Sequence, residues 1–132
     1  MINKLPNSIE ATTTLLAGQG YVADRPLATL TYLALTLKRP IFLEGEAGVG
    51  KTELAKVVAN GLGRDLIRLQ CYEGLDTSNA VYEWNFAAQM LSMNSDAKNT
   101  DIYSEKFLIK RALLKAVEAH ESGPPVLLID EI

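Results

Sequence analysis

The chain has 132 residues, 48% of them hydrophobic, enough for one domain with a real core. A net charge of −3 gives no broad attraction for nucleic acid or for an anionic membrane. Cys71 is the only cysteine, which excludes a disulfide or a multi-cysteine metal site within one chain and points to a reducing compartment.

The first residues, Met1 to Asn7, are too polar and too soon broken by Pro6 to serve as a secretory segment. Ser8 is placed to cap a short helix through Ala17, against the resistance of Thr12, Thr13 and Thr14, with Gly18-Gln19-Gly20 as its stop. Pro26 suits the first turn of a second helix in which Leu27, Leu30, Leu33, Ala34 and Leu37 recur on one side. Threonines interrupt this run and Lys38-Arg39-Pro40 ends it, well short of the roughly 18–20 apolar residues that span a bilayer. The expectation is a cytoplasmic protein with no membrane span.

Pro40 forces an extended approach to Ile41-Phe42-Leu43, which reads as a short buried strand. A glycine loop follows, then a helix carrying Leu54, Val57 and Val58 at helical spacing, with Gly61 and Gly63 as its stop. Leu66-Ile67-Arg68-Leu69 is the next strand. Strand, loop, helix, strand in that order makes a parallel α/β sheet the natural solution. Between Gln70 and Tyr103, Tyr82, Trp84, Phe86, Met90, Leu91 and Met93 form an aromatic and methionine-rich segment, and the polar run Asn94 to Asp101 reads as a mobile loop. Ser104 and Glu105 then open an expected helix striped by Ile109, Ala112, Leu113, Ala116 and Val117. Ser122-Gly123-Pro124-Pro125 breaks it before a final strand, Val126 to Ile129, expected to be covered on both faces.

Two runs carry chemistry. Gly45-Glu46-Ala47-Gly48-Val49-Gly50-Lys51-Thr52 is a phosphate-binding loop: its glycines let backbone N–H groups approach phosphate, and the following helix adds its free N–H groups and positive end. Lys51 reaches the β- and γ-phosphates, and the Thr52 hydroxyl is a magnesium ligand. The apolar strand from Val126 delivers Asp130 for magnesium and Glu131 as a base for the attacking water at its carboxyl end. The adjacent glutamate favours hydrolysis over a small-molecule kinase or a guanine-nucleotide switch, and no Asn-Lys-x-Asp guanine-reading run is visible. The alternative is an interaction module with a regulatory or vestigial nucleotide site, its partner contact carried by Tyr82 to Met93.

Other residues have plainer readings. His120 falls on the register of the last helix near its end, where a structural role is expected. Cys71 is expected as a buried or half-buried thiol, Trp84 as core, and Arg111 as a solvated residue or a subunit contact.

With these motifs in hand, the chain resembles the MoxR-type AAA+ ATPases, and most closely the branch associated with maturation of molybdenum-containing carbon monoxide dehydrogenases. The likeness runs through Tyr21-Val22-Ala23-Asp24-Arg25, Ile41 to Glu53, Arg68 to Asp76, Ala80 to Asn85 and Leu127 to Glu131. It implies a P-loop AAA+ fold with an incomplete parallel sheet and flanking helices. Gly45 through Thr52 would be the Walker A loop, Asp130 and Glu131 the Walker B pair, and Tyr21, Val22 and Ala23 a lining of the adenine pocket. ATP and magnesium are the implied cofactors. The implied biology is a homo-oligomeric ring that spends ATP on remodelling a client, often with a von Willebrand factor A domain partner, so that a metal cofactor is inserted or activated in a metalloenzyme.

Ala47 stands where the family usually has proline, which loosens the unliganded loop without removing a phosphate contact. The family's sheet runs in the order fifth, first, fourth, third, second, and the segments found here correspond to its first, second and third strands. The resemblance therefore implies that residues 1–132 are the N-terminal part of a single AAA+ domain, stopping just after the Walker B pair and inactive in isolation.

Overall fold

A computed structural model of the chain describes residues 4–45, 50–95 and 101–132. It divides into two units, Met1–Ile67 with Ala119–Leu128, and Arg68–Glu118 with Ile129–Ile132.

The first unit opens with α1 (Ile9–Gly18), capped by the Ser8 hydroxyl accepting from the Ala11 N–H. Its threonines do not break it because Thr12, Thr13 and Thr14 each donate their hydroxyl to the carbonyl four residues back. The second helix, α2 (Arg25–Leu37), starts from an Asp24 cap on the Leu27 N–H and has proline in its first turn. Its buried face is not the expected leucine stripe. Ala28 and Thr31 are fully buried, whereas Leu30, Leu33 and Leu37 are exposed. Small side chains let α2 lie against α1, and Thr31 is tolerated there because its hydroxyl donates to the Leu27 carbonyl.

The core of this unit is Leu16 with Leu54, Val57, Val58 and Leu62 of α3 (Lys51–Leu62), joined by Leu15, Tyr21, Ala23, Leu27, Leu35, Leu43 and Val126. The helix ends at Gly63 in the left-handed conformation (φ 64°). Gly61, expected as part of the stop, instead lies inside the helix, where a Cβ would sit 2.5 Å from Leu15 Cδ2. Its missing side chain is what lets α3 approach α1.

The expected strand Ile41-Phe42-Leu43 is not a strand: Phe42 is 75% exposed, and only Leu43 reaches the core. A strand needs a ladder partner for its N–H and C=O groups, and none is present among the described residues. One pair of strands that does form is β1 (Leu66–Gln70) with β4 (Val126–Asp130). They run parallel: Val126 donates to the Asp65 carbonyl at one end, and Cys71 to the Asp130 carbonyl at the other. This is the neighbour relation that the resemblance implies for the family's second and third strands. β4 is less covered than expected, since none of its residues is fully buried and Ile129 is 40% exposed.

The second unit fills the segment that periodicity left open. Asp76 caps the single turn α4 (Thr77–Ala80), β2 (Tyr82–Trp84) follows, and Asn85 caps α5 (Phe86–Asn94). Of the polar run after it, residues 96–100 lie outside the described residues.

The long helix expected after Ser104 is replaced by a 3-10 turn (Glu105–Phe107), β3 (Leu108–Lys110) and the short α6 (Ala112–Val117). β3 pairs antiparallel with β2, Tyr82 opposite Lys110 and Trp84 opposite Leu108. The pairing overrides a helical period that only a short apolar window supported. Phe107 is buried, and the Trp84 ring meets Tyr103 edge-on at 5.4 Å. No helix among the described residues is long and apolar enough to cross a membrane.

Candidate functional site

Gly50 begins the site in the first unit. It is the N-cap of α3 and adopts φ 83°, a left-handed conformation that side-chain-bearing residues enter only at a cost. The residue following it, Lys51, starts the helix, and its ammonium folds back to donate to the Gly45 carbonyl. The intervening Glu46, Ala47, Gly48 and Val49 lie outside the described residues.

Side chains of Ser8, Asp24, Asp76 and Asn85 cap α1, α2, α4 and α5, whereas the N-cap residues of α3 and α6, Gly50 and Arg111, make no side-chain cap. The first N–H groups and positive end of the 12-residue α3, with the Lys51 ammonium beside them, suit an anion. Thr52 is half-buried in the same turn, and Glu53 is drawn 3.5 Å from Lys56.

Of the residues implied for the adenine pocket, Tyr21 is brought to the loop: its hydroxyl and Cε2 lie 3.6 and 3.7 Å from where a Gly50 Cβ would be. Val22 is 95% exposed. Ala23 packs on the core and helps line an open cavity of about 430 Å³ with Ile9, Glu10, Thr13, Thr14 and Arg25. None of Gly45, Gly50, Lys51 or Thr52 lines that cavity, so volume alone does not mark the phosphate loop.

In the second unit Asp130 ends β4. Its carbonyl accepts from the Cys71 N–H at 2.9 Å and its carboxylate Oδ2 from Arg68 Nη2 at 2.5 Å. Asp130 keeps 23% of its side-chain surface and Arg68 52%. Glu131 follows with an exposed side chain on a left-handed backbone (φ 56°), a conformation that costs a non-glycine residue about 1 kcal/mol.

Taken separately, the Thr52 hydroxyl of the first unit and the Asp130 carboxylate of the second are each hard oxygen donors of the kind magnesium takes, and Arg68 already stands as a cation at the Asp130 carboxylate.

A profile of the ATPase family associated with various cellular activities (AAA) matches residues 41–132, more than half of the chain. The chain belongs to the AAA family. This AAA chain is also similar to midasin from Giardia intestinalis, 42% identical over 48 residues, which are 36% of this chain and 1% of midasin. It thus spans a very small part of that relative's length. No solved structure matches it.

In this AAA chain the sequence pattern marks Arg68 only as part of a strand; the signal it offers is an isolated arginine within an apolar run, on a strand whose neighbour ends in carboxylates. Arg111, expected as solvated or at a subunit contact, keeps 37% of its side-chain surface but is also held within the second unit. Its Nε donates to the Ser78 carbonyl at 3.1 Å, its Nη2 to Glu83 at 2.9 Å, and its backbone N–H to the Val81 carbonyl. His120 lies beyond α6 rather than on its stripe, with Nδ1 3.0 Å from Asp65 Oδ2. Cys71 is a half-buried free thiol.

Proposed function

We propose that this chain carries a magnesium-dependent ATP-hydrolysing site. The AAA family is one of ATPases, and the observation that carries the reading to these residues is the start of α3 at a left-handed Gly50 without a side-chain cap, with the Lys51 ammonium donating to the Gly45 carbonyl. Loop amides and Lys51 hold the β- and γ-phosphates, Thr52 and Asp130 take the metal, and Tyr21, Val22 and Ala23 flank the adenine. Glu131 accepts the proton of the attacking water as its oxygen bonds to the γ-phosphorus and the bond to the β-phosphate oxygen breaks, leaving ADP and phosphate. Magnesium, when bound, neutralises charge developing on the phosphate oxygens.

Hydrolysis in turn drives remodelling of a client in the cytoplasm. The resemblance to the MoxR type favours a metalloenzyme client in cofactor maturation, a homo-oligomeric ring and a von Willebrand factor A domain partner. Residues 41–132 belong to one such ATPase domain, a reading supported by the match of the AAA family over them.

Titration with a fluorescent ATP analogue tests the site. Lys51→Ala should weaken binding by about 10- to 100-fold, the worth of a charge-assisted hydrogen bond to phosphate. In the full ATPase, Glu131→Gln should keep binding and stop turnover; unchanged turnover refutes its role as base.

A second reading, an interaction module with a regulatory or vestigial nucleotide site, draws on α5, where Phe86, Met90, Leu91 and Met93 are each at least 64% exposed. Absence of nucleotide binding in the full protein would favour it.

A further inference from the structure

We propose that Arg68 is a displaceable counter-ion that holds Asp130 against magnesium until the metal arrives on nucleotide. The inference rests on the ATPase reading and adds a control to that site. Arg68 lies in the middle of β1 and Asp130 at the end of the paired strand β4, so the sheet fixes both Cα positions and leaves only the side chains to choose partners.

They choose each other. Nη2 of Arg68 sits 2.5 Å from Oδ2 of Asp130, a direct charge-assisted hydrogen bond. Magnesium requires a carboxylate oxygen at about 2.0–2.1 Å in near-octahedral geometry, and it repels a guanidinium at the same oxygen. The two cations therefore compete for Oδ2.

The exposures make exchange feasible. Asp130 retains 23% of its side-chain surface, enough for an ion to approach, and Arg68, at 52%, can swing its guanidinium into water. No second acid is paired with Arg68 among the described residues, so releasing Asp130 requires breaking one ion pair. Free metal must displace the arginine unaided. Metal carried by phosphates brings its other ligands with it and needs Asp130 only to complete the shell, so the arginine discriminates against metal without nucleotide. Without bound metal, the same contact neutralises the carboxylate that precedes Glu131.

A half-exposed pair of this kind is worth about a two- to fivefold change in an equilibrium. The full chain is titrated with magnesium chloride at fixed fluorescent ATP analogue, and the midpoint of the magnesium-dependent signal is compared for wild type, Arg68→Gln and Arg68→Lys. Arg68→Gln should lower the midpoint about two- to fivefold. Arg68→Lys, a point charge without the planar fork, should fall between.

Affinity for the analogue in EDTA should match wild type in both variants. Raising salt tenfold should narrow the difference, because it screens the ion pair. An unchanged or raised midpoint in Arg68→Gln overturns the proposal, and if that variant does not fold, an unchanged midpoint in Arg68→Lys does so. Failure of the underlying reading looks different: wild type would then bind the analogue neither with magnesium nor in EDTA.

Discussion

Gly61→Ala offers a sharp test of how the first unit is packed, because two opposing effects meet at one methyl group. In a helix interior, replacing glycine by alanine stabilises by about 1 kcal/mol through backbone entropy. Here the added Cβ would lie 2.5 Å from Leu15 Cδ2 and 3.0 Å from Leu15 Cγ, closer than side chains tolerate. Overpacking of this degree costs about 1–3 kcal/mol, so the net should run from neutral to about 2 kcal/mol destabilising.

Leu15→Ala removes both clashing atoms, and in that background Gly61→Ala should recover its full stabilisation of about 1 kcal/mol. The sign change is measured by urea unfolding of all four chains, followed by far-UV circular dichroism, with midpoints compared at constant m-value. If Gly61→Ala stabilises equally in both backgrounds, the close approach of α1 and α3 through Gly61 is refuted.

Three further outcomes follow from local geometry. Lys38 caps α2 in the left-handed conformation (φ 54°), and Lys38→Gly should raise stability by about 0.5–1 kcal/mol in the same assay. Arg111→Ala should destabilise the second unit by about 1–2 kcal/mol, allowing for the exposure of its pair with Glu83; Trp84, the only tryptophan, reports the loss by fluorescence. In acid, Asp76 is held below its ordinary 3.8 by the Ser78 hydroxyl and the Asn79 amides, and Glu105 below its ordinary 4.5 by Lys110. Both contributions are intact above those values and are lost as pH falls through the lower, folded ones. Lys110, raised above 10.5 by Glu105 and Glu118, contributes below that value and loses its contribution as pH rises through its higher folded one. Asp76→Asn keeps a capping side chain and should flatten the acid limb of a Trp84 fluorescence titration, while little change at neutral pH is expected.

How much was readable along the chain followed the range of the interactions concerned. Ser8, Pro26 and Gly63 act within a turn of the backbone, and α1, α2 and α3 accordingly stand where these start and stop signals lie. The phosphate loop was legible for the same reason, since Gly50, Lys51 and the first turn of α3 are contiguous. The helix expected from Ser104 to Val117 failed where its period met a long-range partner, Tyr82–Trp84, whose ladder captured Leu108–Lys110.

The sequence by itself determined the AAA motifs, the first three helices and the apolar face of α3, because each is written in residues within a turn or two of one another. Only the tertiary structure decided that Ala28 and Thr31 rather than the leucines of α2 are buried, and that Ile41–Leu43 remains unpaired among the described residues. It also decided that Arg68 meets Asp130 from 62 residues away. Burial and ion pairing depend on which surfaces approach one another, and periodicity along a chain shows what a face offers but not what comes to meet it.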